Sequence, residues 1–334
     1  MIDATSLHPA LAWRRLHADD AAALAHFLND VYAADDYPIV MSREEAGHEL
    51  AHPDIDLAAD TIAGFDRDGR MLARGVVAAR RSVASQVRVF LEGDVHPSVR
   101  GRGIGSALLR WLEPRAVERL RELERGVDPA IPRLIATHYA AHLPDREQLF
   151  SAAGFEPLRW FAEMRRSLDF PVPQADPPSG ARFAPWSDEH TEAARDAHND
   201  AFRDHWGSQP ITAEEWRHQH VAAPSFRADL SRLALDGERV VAYVVCHRYA
   251  GDQEATGKSS VWLETLGTRR DYRGRGTASA LIAEVLRSIQ AAGFDQAELG
   301  VDTDNPTGAV GLYERLGFQP TRRWVFTAKV LEPA

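Results

Sequence analysis

The pattern of apolar and polar positions in the first half of the chain predicts an alternation of helices and strands. A helix expected at 19–32 carries Leu24, Phe27, Leu28 and Val31 on one face. Ser42 and Glu45 have the spacing of a capping box that opens a second helix. Strands are predicted at 11–15, 57–66, 71–79 and 87–95, and a helix at 105–120 ends this half.

The second half repeats this order. Strands are predicted at 182–185, 230–235, 240–248 and 261–268, and helices at 189–202 and 212–221. Between the halves, residues 169–181 contain four prolines and no periodicity, which is typical of a linker. We therefore predict an N-terminal domain at 1–168, a linker at 169–181 and a C-terminal domain at 182–334.

Composition narrows the function classes. The 334 residues carry a net charge of −10, and 37 of the 39 basic residues are arginine, since lysine occurs only at 258 and 329. An acidic chain without a basic stripe predicts no nucleic-acid partner. The single cysteine, Cys246, excludes an intrachain disulfide and a thiolate metal cluster. No apolar run approaches about 18 residues and no signal segment is recognised, so we expect a cytoplasmic protein without a membrane partner.

A glycine-rich corner joins the strand at 261–268 to a helical run. It reads Arg273-Gly274-Arg275-Gly276-Thr277-Ala278, and residues 100–105 repeat it as Arg-Gly-Arg-Gly-Ile-Gly. Small residues let backbone N–H groups point outward, and the following helix adds free donors and the positive end of its dipole. The spacing matches neither a P-loop nor a dinucleotide fingerprint. We interpret each corner as a cradle for a pyrophosphate.

These motifs resemble those of the GCN5-related N-acetyltransferase (GNAT) superfamily. Arg-x-x-Gly-x-Ala at 273–278 is similar to its acyl-CoA-binding motif, and residues 301–318, with Asn305, Tyr313 and Gly317-Phe318, are similar to its second motif. The resemblance implies an α+β fold, an α/β sandwich of two tandem domains with mixed, mostly antiparallel sheets flanked by helices. It also implies transfer of an acetyl group to a primary amine of a small molecule, with acetyl-CoA or another short acyl-CoA as co-substrate and no metal.

Residue by residue, the resemblance assigns the co-substrate site in both halves. In the second half it implies that the pantetheine arm lies along Leu266, Gly267 and Thr268 and beside Asn305, and that the pyrophosphate lies on Arg273, Gly274, Arg275, Gly276, Thr277, Ala278 and Ser279. In the first half the corresponding residues are Asp94, Val95, Arg100, Gly101, Arg102, Gly103, Ile104, Gly105 and Ser106.

The two halves differ at the position of the acid. In the family a tyrosine faces the thioester sulfur, and Tyr313 matches it; a tyrosine has an ordinary pKa of about 10 and can donate a proton at neutral pH. The corresponding residue of the first half is Phe150, which has no proton to donate, and the asparagine is missing as well. We expect a catalytic second domain, and a degenerate first domain that binds acyl-CoA without turnover or serves as a structural platform.

The remaining site residues concern the amine. Glu264, on the strand that enters the corner, is a candidate general base or amine anchor, or else an outward glutamate on a half-buried strand. Trp262 is expected to form a pocket wall. The loop after the first helix of this domain offers Phe202, His205 and Trp206 for substrate binding, against the alternative of a helix end with incidental polarity. His198 and His205 are seven residues apart and lack a metal-ligand pattern.

The acceptor and the assembly stay open. Some tandem members of the family acetylate a cysteinyl pseudo-disaccharide, but their acidic strand residue aligns with Trp262 here and Glu264 comes two residues later. An aminoglycoside-type acceptor and a non-catalytic acyl-CoA-binding or sensing protein are the alternatives. The protein is expected to be a monomer or a homodimer.

Overall fold

The chain folds into two compact units. The structure is a computed structural model that describes residues 7–79, 83, 85–174, 176–178, 180–249, 251–304 and 308–331. Unit 1 comprises residues 1–158 and 325–334, and unit 2 comprises residues 159–324. The division falls within two strands, whereas the sequence analysis places it at the proline-rich segment 169–181. Strand pairing is a non-local property, so composition does not reveal which sheet a strand end joins.

Unit 1 contains a sheet with strand order β1-β2-β3-β4-β5. The strand pairs are antiparallel except β4–β5, which is parallel because helix α4 connects these strands as a crossover. Its elements are β1 Ala12–Arg14, α1 Ala21–Ala34, α2 Arg43–Leu50, α3 Leu57–Asp60, β2 Thr61–Phe65, β3 Met71–Ala79, β4 Val87–Val95, α4 Ile104–Leu123, β5 Arg133–Ala140 and α5 Pro144–Ala152.

Unit 2 repeats this arrangement with strand order β6-β11-β10-β9-β8-β7. The β10–β11 pair is parallel, across helix α9, and the pairs β6–β11, β9–β10, β8–β9 and β7–β8 are antiparallel. The elements are β6 Glu156–Ser167, β7 Arg182–Pro185, α6 Thr191–Ala201, α7 Ala213–Trp216, β8 Arg232–Asp236, β9 Arg239–His247, α8 Asp252–Thr256, β10 Ser260–Thr268, α9 Thr277–Ala291, β11 Gln296–Asp302, α10 Ala309–Arg315 and β12 Gln319–Leu331. The first residues of β6 and the last residues of β12 belong to unit 1.

The two faces of the unit 2 sheet bury separate apolar clusters. Leu281 and Val285 of α9 pack with Val244 and Leu263 on one face. Ala194 and Trp216 pack with Tyr243 and others on the opposite face. Alternate residues of one strand point to opposite faces, so this division sets the direction of the regularly paired side chains in β9 and β10. The predicted α+β fold, a mostly antiparallel sheet flanked by helices, is confirmed.

One predicted strand begins as a helix. Residues 57–60 of the run expected to be a strand at 57–66 form the short helix α3, and the strand covers only Thr61–Phe65. The side chain of Asp56 accepts hydrogen bonds from the backbone N–H groups of Ala58 and Ala59. Such an N-cap satisfies donors that a strand start would leave open, and this explains the local helix.

Candidate active site

A β-bulge places Glu264 in unit 2. The β9–β10 register shifts between Leu263, opposite Cys246, and Thr265, opposite Val245, so Glu264 is the extra residue. Its side chain is accessible to solvent, and the Tyr249 hydroxyl donates a hydrogen bond to its carboxylate (3.3 Å). Desolvation by neighbouring atoms raises the pKa of Glu264 above its ordinary value, and this hydrogen bond offsets part of the increase. The bulge frees this carboxylate from the strict alternation of the strand.

Beyond the bulge, β10 separates from its parallel neighbour. The parallel register pairs β10 with β11 only as far as Trp262, opposite Glu298. Leu266, Gly267 and Thr268 pair with β9 on the other side. Backbone groups of β10 that face β11 in this segment are therefore open to a ligand that pairs like a strand. An amide-containing arm, such as pantetheine, meets that requirement.

The glycine corner follows this opening. Gly274 and Gly276 have φ angles of 72° and 81°, values in the left-handed region that favours glycine. Apart from the adjacent residues of the chain, no atom of the described residues lies within 4 Å of the position that a Cβ would take at either glycine, so the space there is open. Helix α9 begins at Thr277, whose hydroxyl is buried and has no hydrogen-bond partner among the described residues. This cradle fits a pyrophosphate.

The arginine side chains of the corner are engaged with protein groups. The Arg273 guanidinium donates to the carbonyl oxygen of Ala201 and lies 3.5 Å from the Asp204 carboxylate, which also pairs with Arg270 at 2.9 Å. The Arg275 guanidinium lies over the Tyr272 ring, 4.8 Å from its centroid. Arg273 thus ties the corner to the loop after α6. Any contribution of these residues to pyrophosphate binding is expected from their backbone N–H groups.

Tyr313 lies on α10 and is buried, with 6% of its surface exposed. Its ring meets that of Phe318 edge-on at a centroid distance of 6.0 Å. Among the described residues its hydroxyl makes no hydrogen bond. Burial raises the pKa of Tyr313 to about 12, so the phenol stays protonated at neutral pH. Asn305 lies outside the described residues.

The loop after α6 collects aromatic rings. The ring of Phe202 stacks on His198 at 4.4 Å and lies 5.0 Å from the ring of His205. Trp206 receives the Arg159 guanidinium over its ring at 5.0 Å. The three residues predicted for substrate binding, Phe202, His205 and Trp206, are all half-buried and therefore partly accessible. These three aromatic side chains form the aromatic wall of this loop, in which Phe202 lies between His198 and His205.

His205 links this loop to the end of β11. Desolvation lowers the pKa of His205, Arg273 and Arg159 lower it further, and Asp302 opposes them. Asp302 is the last residue of β11 and Arg273 the first of the corner. The ion pair between Arg273 and Asp204, at 3.5 Å, joins the loop to the glycine corner, so the two lie side by side in unit 2. Trp262 is half-buried opposite His247.

The sequence analysis missed a buried hydroxyl network next to β10. Tyr243 hydrogen-bonds His198 Nδ1 at 2.6 Å and the Thr265 hydroxyl at 3.3 Å. A Cβ at Gly267 would lie 2.8 Å from Tyr243 Cε1 and 3.1 Å from Ala201 Cβ, so glycine is required there for space. Burial raises the pKa of Tyr243, and Tyr313 contributes electrostatically. No local sequence signal identifies this network, because its members come from three separate elements.

Unit 1 has the same opening and corner. Parallel pairing of β4 and β5 ends at Phe90, opposite Ala136, and Gly101 and Gly103 have φ angles of 72° and 84°. A cavity of about 500 Å³ lies at this corner. Of the predicted residues, seven line it: Val95, Arg100, Gly101, Gly103, Ile104, Gly105 and Ser106. Phe150, the counterpart of Tyr313, also lines the cavity.

The other two predicted residues of unit 1 have different surroundings. Asp94 pairs with Arg146 at 3.1 Å, and the Arg102 guanidinium donates to the Ser98 carbonyl oxygen. Arg100 behaves like Arg273, because it binds Asp35 in the loop after α1 and the carbonyl oxygen of Val95. In both units the first arginine of the corner therefore anchors the loop that follows the first helix.

An ion-pair cluster replaces the hydroxyl network in unit 1. By the strand registers, Arg74 occupies the place of Tyr243, Glu92 that of Thr265 and Asp94 that of Gly267. The Arg74 guanidinium is 5% exposed and contacts Glu92 at 2.6 Å and Asp94 at 3.6 Å. Charged side chains thus occupy the face of β4 that corresponds to the face of β10 where Tyr243 packs on Gly267.

Two comparisons of sequence decide the family. The model of the "Acetyltransferase (GNAT) family" matches residues 191–318. A protein named mycothiol acetyltransferase from Thermobispora bispora is 32% identical over 235 residues, which cover 69% of this chain and 71% of the relative. The chain belongs to the acetyltransferase (GNAT) family.

Solved structures agree with this assignment over the whole chain. A GCN5-related N-acetyltransferase from Sphaerobacter thermophilus has a TM-score of 0.73 and 26% identity, with 98% of each chain covered. A tandem GNAT protein from the clavulanic acid biosynthesis pathway has a TM-score of 0.67 at 18% identity and covers 97% of this chain and 99% of its own; it shows the shared fold. The protein is an N-acetyltransferase, and the co-substrate of this family is an acyl-CoA.

Two further features of the fold concern membranes and metals. In the described part of the chain, no helix is long and apolar enough to cross a membrane. Within the same residues, no three His, Cys, Asp or Glu side chains form a group that could hold a metal ion.

Proposed function

We propose that unit 2 transfers an acetyl group from acetyl-CoA to a primary amine of a small molecule, and that unit 1 binds acyl-CoA without turnover. The observation that carries this proposal is the contrast at one position. Tyr313, buried and protonated at neutral pH, follows the opening and the corner of unit 2, whereas Phe150 occupies the corresponding position in unit 1. A departing thiolate requires a proton, and at this position tyrosine can donate one whereas phenylalanine cannot.

The residues of unit 2 divide the work of binding. Backbone groups of Leu266, Gly267 and Thr268 that face β11 hold the pantetheine arm as an added strand. N–H groups from Gly274 to Ser279 hold the pyrophosphate at the start of α9. Bound there, acetyl-CoA supplies an activated thioester. Arg273 anchors the loop after α6 and so keeps the aromatic wall beside the acetyl-CoA-binding site.

Two side chains move protons. The Glu264 carboxylate accepts a proton from the acceptor ammonium and so generates the nucleophilic amine, for which its raised pKa suits it better than that of an ordinary glutamate. The Tyr313 hydroxyl donates a proton to the sulfur of the leaving group. Trp262, Phe202, His205 and Trp206 form the walls that receive the acceptor.

The acceptor to test first is the precursor of mycothiol, because relatives about 32% identical are named mycothiol acetyltransferases. Other amines, aminoglycosides among them, belong in the same panel. CoA release measured with each amine identifies the acceptor class. If no amine in the panel causes CoA release while the protein binds acetyl-CoA stoichiometrically, the non-catalytic binding alternative is favoured.

A matched pair of variants locates the chemistry. Ala278→Glu and Gly105→Glu place a carboxylate at corresponding positions, the second residue of α9 and of α4. A carboxylate is compatible with a helix N-terminus but repels a pyrophosphate. We expect Ala278→Glu to abolish CoA release and Gly105→Glu to retain it. Loss of activity in Gly105→Glu alone would refute the assignment of the chemistry to unit 2.

A further inference from the structure

The cavity of unit 1 extends past the glycine corner into the core. Its far wall consists of Leu91 on β4 together with Leu108 and Leu112 on α4, each 2–3% exposed. Phe150 closes the side toward α5. Most of the surface of this end is therefore hydrocarbon, and the cavity is larger than a cradle for the phosphates alone requires.

A glycine creates this space. Gly93 lies on the α4 face of β4 and lines the cavity, and it pairs with Gly75 of β3. The space over Gly75 is filled by Leu108 and Leu112, each 3.2 Å from the position of a Cβ there, so the opening lies at Gly93. A Cβ at Gly93 would lie 3.5 Å from Leu112 Cδ1, which is an ordinary contact distance. In unit 2 the corresponding pair is Leu266 and Val244. Both of these side chains pack against α9 and occupy that volume.

The hydroxyl groups that line this cavity belong to Ser106 and Thr137, and neither takes the place of Tyr313, which is held by Phe150. Phe150 has no proton to donate. The polar side chains closest to the opening are already paired, Arg146 with Asp94 at 3.1 Å and with the Gly93 carbonyl oxygen at 2.7 Å. An acyl chain that enters this space is bound and retained intact.

We propose that unit 1 binds an acyl-CoA whose acyl group is an apolar chain longer than acetyl, with the chain beneath Gly93 among Leu91, Leu108 and Leu112. This inference rests on the acyl-CoA-binding site proposed for unit 1 and specifies which class of acyl-CoA that site binds. The two units then differ in ligand, because unit 2 has room for a short acyl group beside Leu266 and unit 1 has room for a longer one.

The full-length Ala278→Glu variant, in which the unit 2 site is blocked, allows calorimetric titration to measure binding at the unit 1 site. The titrants are CoA and its acetyl, butyryl, hexanoyl and octanoyl thioesters. Each methylene that enters the cavity should tighten binding about fourfold, until the space is full. Equal affinity for acetyl-CoA and hexanoyl-CoA would overturn the inference while leaving the unit 1 site itself intact. Absence of binding by every titrant, CoA included, would refute the unit 1 site and the inference together.

Filling the cavity provides the second test. Gly93→Leu restores the side chain of unit 2, and Leu112→Phe fills the same space from α4. Each is made in the Ala278→Glu background, and thermal unfolding identifies which is folded. In a folded variant we expect unchanged affinity for CoA and loss of the chain-length dependence. Retained preference for the longer chains in either folded variant would contradict the inference.

Discussion

Substitution of Tyr313 by phenylalanine separates proton donation from packing. Tyr313 is buried, its ring lies against Phe318, and its hydroxyl makes no hydrogen bond to the described residues. Phenylalanine keeps the ring and removes one oxygen. The substitution therefore removes the proposed acid and leaves no protein group unsatisfied.

The two expected magnitudes differ clearly. A typical hydrogen bond contributes about 1 kcal/mol to stability, and none to a described residue is lost here, so the free energy of unfolding should change by less than about 1 kcal/mol. Removal of a general acid lowers turnover about 10²-fold or more, which corresponds to about 2.7 kcal/mol in activation free energy. Affinity for acetyl-CoA should be almost unchanged.

The assay measures CoA release at saturating acceptor, acetyl-CoA binding by calorimetry and thermal unfolding on the same preparations. Tyr139→Phe is the matched control, because Tyr139 is a buried tyrosine of unit 1 whose ring stacks on Phe150 at 5.9 Å. It should retain full turnover. Turnover of Tyr313→Phe within a factor of two of the parent would refute the role of this hydroxyl, and equal losses in both variants would indicate a general packing effect.

Three further predictions concern the rest of unit 2. Glu264 must be deprotonated to act as the base, so kcat/KM should rise as the pH passes through the pKa of Glu264. Because that pKa is raised, the rise should lie above the ordinary glutamate value of about 4.3. Glu264→Gln should remove this pH dependence along with most of the activity. Gly267→Ala should destabilise the protein by about 1–3 kcal/mol by overpacking against Tyr243, whereas Gly300→Ala, with no atom within 4 Å, serves as the neutral control in thermal unfolding. Asp204→Asn weakens the ion pairs with Arg270 and Arg273 and should raise KM for the acceptor more than it lowers kcat. An unchanged KM would show that this loop does not contribute to acceptor binding.

Both units use their corner arginine in the same way, and this bears on how the site is held together. Arg100 binds Asp35, and Arg273 binds Asp204 and the Ala201 carbonyl oxygen. In each case the acidic partner follows the first helix of its unit. A corner that binds a ligand through backbone N–H groups leaves its side chains available for such anchoring. The repeated contact is a structural counterpart of the duplication visible in the sequence.

Local sequence patterns were sufficient for much of the assignment. The two glycine corners, the repeated order of helices and strands and the contrast between Tyr313 and Phe150 are properties of short continuous segments. A positive φ at Gly274 or Gly276 requires only the residue itself and its neighbours. For that reason the family and the fold class could be predicted from the sequence.

Strand register and tertiary packing decided the rest. The bulge that frees Glu264, the end of β10–β11 pairing at Trp262 and the close approach of Tyr243 to Gly267 all depend on how separate strands align. The cavity under Gly93 depends on which residue faces it across β3 and on the depth at which α4 packs. These are contacts between segments far apart in the chain, and a one-residue change of register would reverse the face of every side chain involved. The sequence alone therefore identified the family and its enzyme class, whereas the space beside each glycine corner was determined only in three dimensions.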